Sequence, residues 1–162
     1  MSKIFLFLTL IIMATFLKGQ SAKVDSLIQN INNDQLYGTC HYGWFLEMNS
    51  NAGNKLIKMG NSVVNQLVPF LDNREKGIIS HYILTMITSG YSFNSSFEHF
   101  EKDSILDCNF NGLKFYDRMG HMYTSDSILF ENKKKWIDIV NKNVLFSRID
   151  TFHLIINKDR KK

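Results

Sequence analysis

The chain has 162 residues, 44% apolar, 21% charged and 13% aromatic, with a single Pro and a formal net charge of +4. That length fits one domain with a packed core. The same values exclude collagen-like, low-complexity and strongly charged disordered chains.

Residues 1–21 read as a secretory signal. Lys3 supplies a positive start, and Ile4 to Leu17 is apolar except for Thr9 and Thr15. Gly19 and Ser21 then place small residues before a cleavage between Ser21 and Ala22. A membrane anchor is the other reading, but the apolar run is shorter than the ~20 residues a span needs. No Cys lies near the cleavage position, which argues against a bacterial lipoprotein. The expectation is a chain exported to the periplasm or beyond, free of the membrane once cleaved. Residues 22–162 would then form a single mostly helical domain.

Removing the signal takes Lys3 and Lys18 with it and leaves 17 basic and 15 acidic residues. That balance removes most of the case for a nucleic-acid partner. The local excess at Lys133, Lys134 and Lys135 reads as solvated helix surface. Lys158, Arg160, Lys161 and Lys162 read as a frayed tail. No aromatic interleaving or nucleic-acid motif accompanies either. Asn94-Ser95-Ser96 matches a glycosylation acceptor, a triplet common by chance.

Val24, Leu27, Ile28 and Ile31 recur at helical spacing, so a helix should end before Gly38. Cys40 to Met48 is expected as a short helix burying an aromatic side, followed by a turn over Asn49 to Asn54. A helix ending at Leu56, Ile57 and Met59 would be closed by Gly60, which accepts positive φ. Asn61 or Ser62 would cap the next helix, with Val63, Val64, Leu67, Phe70 and Leu71 as its apolar stripe. Pro69 should kink that helix. Asp72 with Glu75 has the spacing of a capping box. Ile79, Tyr82, Ile83, Met86 and Ile87 carry the following helix, which Gly90 closes.

The run from Leu56 to Asp72 resembles a HEAT-type helical repeat, and the helix from Gly77 to Ile87 is similar to the first helix of a following repeat. A helix ends at Gly60, the aliphatic pair Val63-Val64 opens a second, and Leu67 and Leu71 recur before a polar turn. The resemblance covers about residues 54–89, roughly a quarter of the cleaved chain. It departs from the family pattern where Asn65 replaces the usual proline and Pro69 comes later. It implies a stacked helical-hairpin core and a protein-binding role, and it carries over no catalytic residue.

Further along, 89–96 reads as a loop and Phe97 to Leu106 as a short helix. Gly112 to Tyr116 alternates, and Met122 to Thr124 could return beside it around Met119-Gly120-His121. That predicts a small β-hairpin near residues 112–125. Ile128 to Asn143 should be helical, with Leu129, Trp136, Ile137, Ile139 and Val140 on its apolar side. Val144 to Ile156 fits a terminal helix or a buried strand. The fold class expected is thus mainly α, with a HEAT-like core and one small hairpin.

The motifs of nucleotide binding, of the serine nucleophile elbow and of H-E-x-x-H zinc enzymes do not occur, and no cofactor is implied. The cleaved chain has two Cys, Cys40 and Cys108. An even number in an oxidising compartment favours pairing. The bond would close a loop of about 69 residues and contribute on the order of 4 kcal/mol. Two separate buried thiols are the other reading, and spacing does not decide between them. A zinc site lacks any short Cys or His pair. Cys40-His41 does not make a nucleophile–base pair, because neighbours on a helix point apart. His81 reads as a locally bonded residue on the polar edge of its helix. His99 lies between acidic residues, His121 sits in the expected turn, and His153 carries no motif.

The functional expectation is an exported, non-catalytic domain that binds another protein. A periplasmic immunity protein neutralising a toxin is a second version. A small hydrolase with a dispersed site is the alternative from a different class. Among Tyr42, Trp44, Phe45, Tyr82, Tyr91, Phe93, Phe97 and Phe100, most should pack inside, and any exposed minority would suit a partner surface.

Overall fold

Among the described residues helix α1 covers 19–29, which crosses the expected cleavage position. Val24 and Ile28 bury its apolar side, and Ile31 continues that side past its end. The computed structural model describes residues 19–40, 44–89 and 105–142. The expectations for Gly90, for most of the 97–106 helix and for 144–156 lie outside these residues.

The helix expected over 40–48 is instead a pair of strands. β1 (Leu36–Cys40) and β2 (Trp44–Met48) run antiparallel, with Gly38 opposite Leu46. Leu36 and Leu46 point into the core. Opposite them, Glu47 accepts from the Tyr37 hydroxyl at 2.8 Å and from the Thr39 hydroxyl at 3.1 Å. The crowded aromatic residues fit a pleated surface better than a helix. Two strands alone are marginal, so burial of Leu36 and Leu46 holds this hairpin in place.

The turn expected at 49–54 is also shorter than foreseen. Ser50 accepts from the Gly53 amide at 3.1 Å and caps α2 (Asn51–Met59). Gly60 closes that helix with φ of 62°, as its position predicts. Neither Asn61 nor Ser62 caps the next segment; Ser62 instead donates to the Met59 carbonyl at 2.8 Å.

The second helix implied by the HEAT resemblance is not continuous. Gly60–Val63 is 3₁₀, α3 (Val64–Leu67) is a single α-turn, and Val68–Asp72 is 3₁₀ again. Pro69 sits in the first turn of the last piece, where its missing N–H costs little. The apolar stripe survives the breaks, because Val63, Val64, Leu67 and Leu71 are all buried. Asp72 and Glu75 make no capping box. Asn73 instead holds the turn before α4, accepting from the amides of Glu75 and Lys76 at 2.9 and 3.0 Å.

Helix α4 (Gly77–Ser89) is the centre of the molecule. Ile78, Ile79, Tyr82, Ile83 and Leu84 are all buried, which makes it a nearly all-round apolar helix. Its start is held from far away in sequence. Asn33 Oδ1 accepts from the amides of Ile78 and Ile79 at 3.1 and 3.0 Å, and Asn33 Nδ2 donates to Arg74 O at 2.8 Å. Lys76 answers by donating to the carbonyls of Ile28, Gln29 and Ile31 at the end of α1.

The predicted hairpin near 112–125 is present and is part of a three-stranded antiparallel sheet. β3 (Ile105–Phe110), β4 (Leu113–Arg118) and β5 (His121–Tyr123) pair in sequence order. Both connections are two-residue turns with positive φ throughout: Asn111-Gly112 at 48° and 83°, and Met119-Gly120 at 54° and 88°. Such turns match the twist of the flanking strands. In each, a carboxamide or carboxylate on the preceding strand accepts from the glycine amide: Asn109 for Gly112 and Asp117 for Gly120. Cys108, Leu113, Phe115 and Met122 bury the inner face.

Helix α5 (Asp126–Asn141) is capped by Ser125 and buries Leu129 and Trp136. It is clamped to the 3₁₀ segment and the turn after it. Arg74 binds Asp126 through two donors, and Lys133 reaches Asp72 at 2.8 Å and Pro69 O at 3.1 Å. Lys133 is therefore half-buried, unlike the exposed Lys134 and Lys135. The described residues are mostly helical with two small sheets.

Candidate functional site

Two regions concentrate chemistry: a buried polar cluster on α4 and an exposed face on the three-stranded sheet. The first centres on His81. It is 1% exposed, so it does not lie on a polar helix edge. Its partners are distant in sequence. Trp136 Nε1 donates to His81 Nδ1 at 2.9 Å, and His81 Nε2 lies 2.9 Å from Phe110 O. An indole nitrogen only donates and a carbonyl only accepts, so the ring is neutral with its proton on Nε2. Phe110 and Trp136 each meet the imidazole edge-on, at 6.0 and 5.8 Å between centroids. Tyr82 stacks on Phe110 at 5.4 Å.

Burial pushes His81 down to about 4, helped by the charge of Lys135 and opposed by hydrogen bonding to Phe110 and Asn132. Both ring nitrogens are engaged, so neither is open to take a proton from a substrate. One helical turn further on, Thr85 accepts from Asn111 Nδ2 at 3.1 Å. This cluster fastens α4 to β3, to the β3–β4 turn and to α5. It is a structural junction in its geometry.

Cys108 sits on the buried face of β3. Burial pushes its thiol up to about 12, with Asp117 and Asp107 adding to the rise and a backbone bond opposing it. A thiol so disfavoured as thiolate is a poor nucleophile. Cys40 ends β1, and its side chain lies outside the described residues, as do His41, His99 and His153. His121 opens β5, exposed, with Nδ1 3.4 Å from Asp34. Among the described residues no group of His, Cys, Asp and Glu is placed to hold a metal ion. Where the end of α1, the residue before β1 and the start of α2 meet lies a depression of about 330 Å³ lined by amides such as Asn30, Gln35 and Asn49, with Lys55 at its side.

The second region is the outer face of β4 and β5. Along β4, Leu113 and Phe115 are buried while Lys114, Tyr116 and Arg118 are exposed. On β5, His121 and Tyr123 face outward around buried Met122. Tyr116 and Tyr123 are register partners with rings 5.6 Å apart, and they remain 37% and 43% exposed. Met119 in the adjoining turn is 85% exposed. The aromatic residues singled out from the sequence did not include this pair. The alternation from Leu113 to Arg118 was the signal that could have found it.

On α5, Phe130 is also exposed, with the Lys134 ammonium 4.4 Å from its ring centre. No family model, curated protein or solved structure matches the chain.

Proposed function

We propose that this chain is an exported, non-catalytic domain that binds another protein through its three-stranded sheet. The observation that carries the reading is the solvent-exposed Tyr116–Tyr123 pair beside Met119. Paired aromatics are rigid and lose little side-chain entropy on binding, which is why they anchor interfaces. Export is read from the apolar start of the chain and the small residues before Ala22. The resemblance of residues 54–89 to a HEAT-type repeat supports the same reading more distantly, with α2 closing at Gly60 and the stripe of the broken segment after it buried in the same core as α4.

The test has two parts. Intact-mass analysis of secreted material should give a chain beginning at Ala22; a chain still beginning at Met1 would remove the export argument. Purified residues 22–162 should then retain a specific protein from the extracellular or periplasmic fraction of the source cells. Retention of none, across crosslinked and native conditions, would sink the binding role.

A further inference from the structure

We propose that the Trp136–His81 bond is an acid-released latch on α5: a proton on the imidazole frees the helix from Lys134 onward and uncovers Trp136 and the imidazole, while the rest of the fold stays closed. The inference goes beyond the protein-binding reading and does not depend on it.

The donor pattern is the first support. His81 Nδ1 accepts from the Trp136 indole at 2.9 Å, and Nε2 carries the proton directed at Phe110 O, also 2.9 Å away. A proton taken from solvent can therefore enter only at Nδ1. There it sets one N–H against another, since the indole nitrogen has no acceptor capacity. Turning the ring over brings no relief, because both nitrogens of the charged form donate. The indole and the charged ring cannot share the site.

The uneven fastening of α5 is the second support, and it is independent. The first half of the helix is tied by Arg74 on Asp126 and by Lys133 on Asp72 and Pro69 O. Leu129 is buried there too, against the backbone at Gly77. None of these contacts uses His81. Among the described residues from Lys134 onward, Trp136 is the one buried side chain. Its indole makes the one hydrogen bond described from a side chain of that half to another element. Ile139 and Val140 pack against the core only half-buried, and Ile137 is exposed.

The surroundings of the ring leave the proton to act through this bond. α5 presents Lys135, whose charge opposes protonation, and Asn132, whose side chain favours the charged ring by hydrogen bonding. Asn132 lies on the half of α5 that stays tied, so it can hold the charged ring as the indole leaves. α4 has no charged residue beside His81, and its Tyr82 stacks on Phe110. On β3, Asp107 is exposed while Cys108 is buried with its thiol pushed up to about 12. Burial holds the closed ring at about 4, against about 6.5 for a solvated one. Acid therefore favours the open form between those values.

The test is hydrogen exchange of the full chain, followed by mass spectrometry from pH 7.5 to 4.5 and corrected for the intrinsic pH dependence of exchange. Amides 136–140 should lose protection below pH 6.5 by up to about tenfold per pH unit, the rise that one linked proton gives. Amides 79–84 in α4 should stay protected throughout. His81→Gln offers an acceptor to the indole and a donor to Phe110 O but takes up no proton, so its profile over 136–140 should be flat. Far-UV circular dichroism checks that the variant is folded, and the wild-type comparison of α5 with α4 decides the matter even where it is not. Loss of protection over 79–84 in step with 136–140 would mean global unfolding and overturn the latch. A flat wild-type profile, or an equal acid response in a folded His81→Gln, would overturn it as well.

Discussion

The indole nitrogen of Trp136 on α5 donates to Nδ1 of His81 on α4 across 2.9 Å, joining residues 55 positions apart inside the core. The bond fixes the imidazole tautomer, and that tautomer aims Nε2–H at the Phe110 carbonyl. One interaction thus orders three elements. Trp136→Phe keeps most of the ring's packing but leaves Nδ1 a buried acceptor without its donor. The expected loss is about 1–3 kcal/mol, read from urea unfolding. A loss near zero would mean the bond contributes nothing net.

The same residue makes stability depend on pH. His81 binds its proton far less readily folded, at about 4, than unfolded. Between about pH 6.5 and 4 the unfolded chain therefore holds the extra proton, and acid favours unfolding. The contribution is present above 6.5 and is lost on the way down to 4, about 3 kcal/mol in all. Asp126, held below the usual carboxylate range by Arg74, adds its own loss only at lower pH. The urea midpoint should fall between pH 7.5 and 5 in the wild type and fall much less in His81→Gln.

Periodicity made most helices legible. The spacing of Val24 and Ile28, the stripe through Leu67 and Leu71, and the helices around Ile83 and Trp136 all announce themselves at period 3.6, and each is buried. The β4–β5 hairpin was readable from alternation and Gly120. β1 and β2 were not, because five-residue strands rich in aromatics look the same as one turn of buried helix. β3 had a readable signal in Asn111-Gly112, a favoured hairpin dipeptide that the short helix expected over Phe97 to Leu106 obscured, although Ile105 and Leu106 open the strand. The His81–Trp136 bond and the docking of Asn33 on α4 join elements far apart in sequence, and no local pattern encodes them. The outer tyrosines were visible as alternation, but their exposure depends on which face the core takes.

Gly77 offers a test in which local propensity and packing oppose each other. Ala is the better helix former by about 1 kcal/mol, so the sequence alone predicts a gain. A Cβ at position 77 would meet the Leu71 carbonyl oxygen at 2.7 Å and Leu129 Cδ2 at 2.8 Å. The backbone oxygen has no room to yield. Gly77→Ala should therefore destabilise by about 1–3 kcal/mol, the usual cost of overpacking. A higher thermal midpoint in the variant would contradict this packing.

Leu67 on α3 and Ile83 on α4 are both fully buried in the one core. Truncating either to Ala leaves a cavity and should cost about 2–5 kcal/mol. Lys134→Ala touches an exposed ammonium near Glu131 and Phe130, and the change should stay within about 0.5 kcal/mol. Urea unfolding of the three variants compares them directly. Equal mildness would mean that the broken 60–72 segment is not the support for α4 that its burial indicates.

Asn33 is the remote cap of α4, and its carboxamide is used at both ends. Oδ1 accepts from Ile78 and Ile79, while Nδ2 donates to Arg74 O. Asn33→Ala removes all three bonds at a buried site and should cost about 2–3 kcal/mol. Asn33→Asp keeps an acceptor at the helix start, where negative charge is favoured. It loses the donor, however, and turns a carboxylate oxygen toward the Arg74 carbonyl. The aspartate variant should therefore fall between wild type and alanine, and it should approach alanine if the Arg74 contact dominates. Urea midpoints at pH 7.5 rank the three, and an alanine variant as stable as wild type would show that α4 needs no cap from the α1–β1 connection.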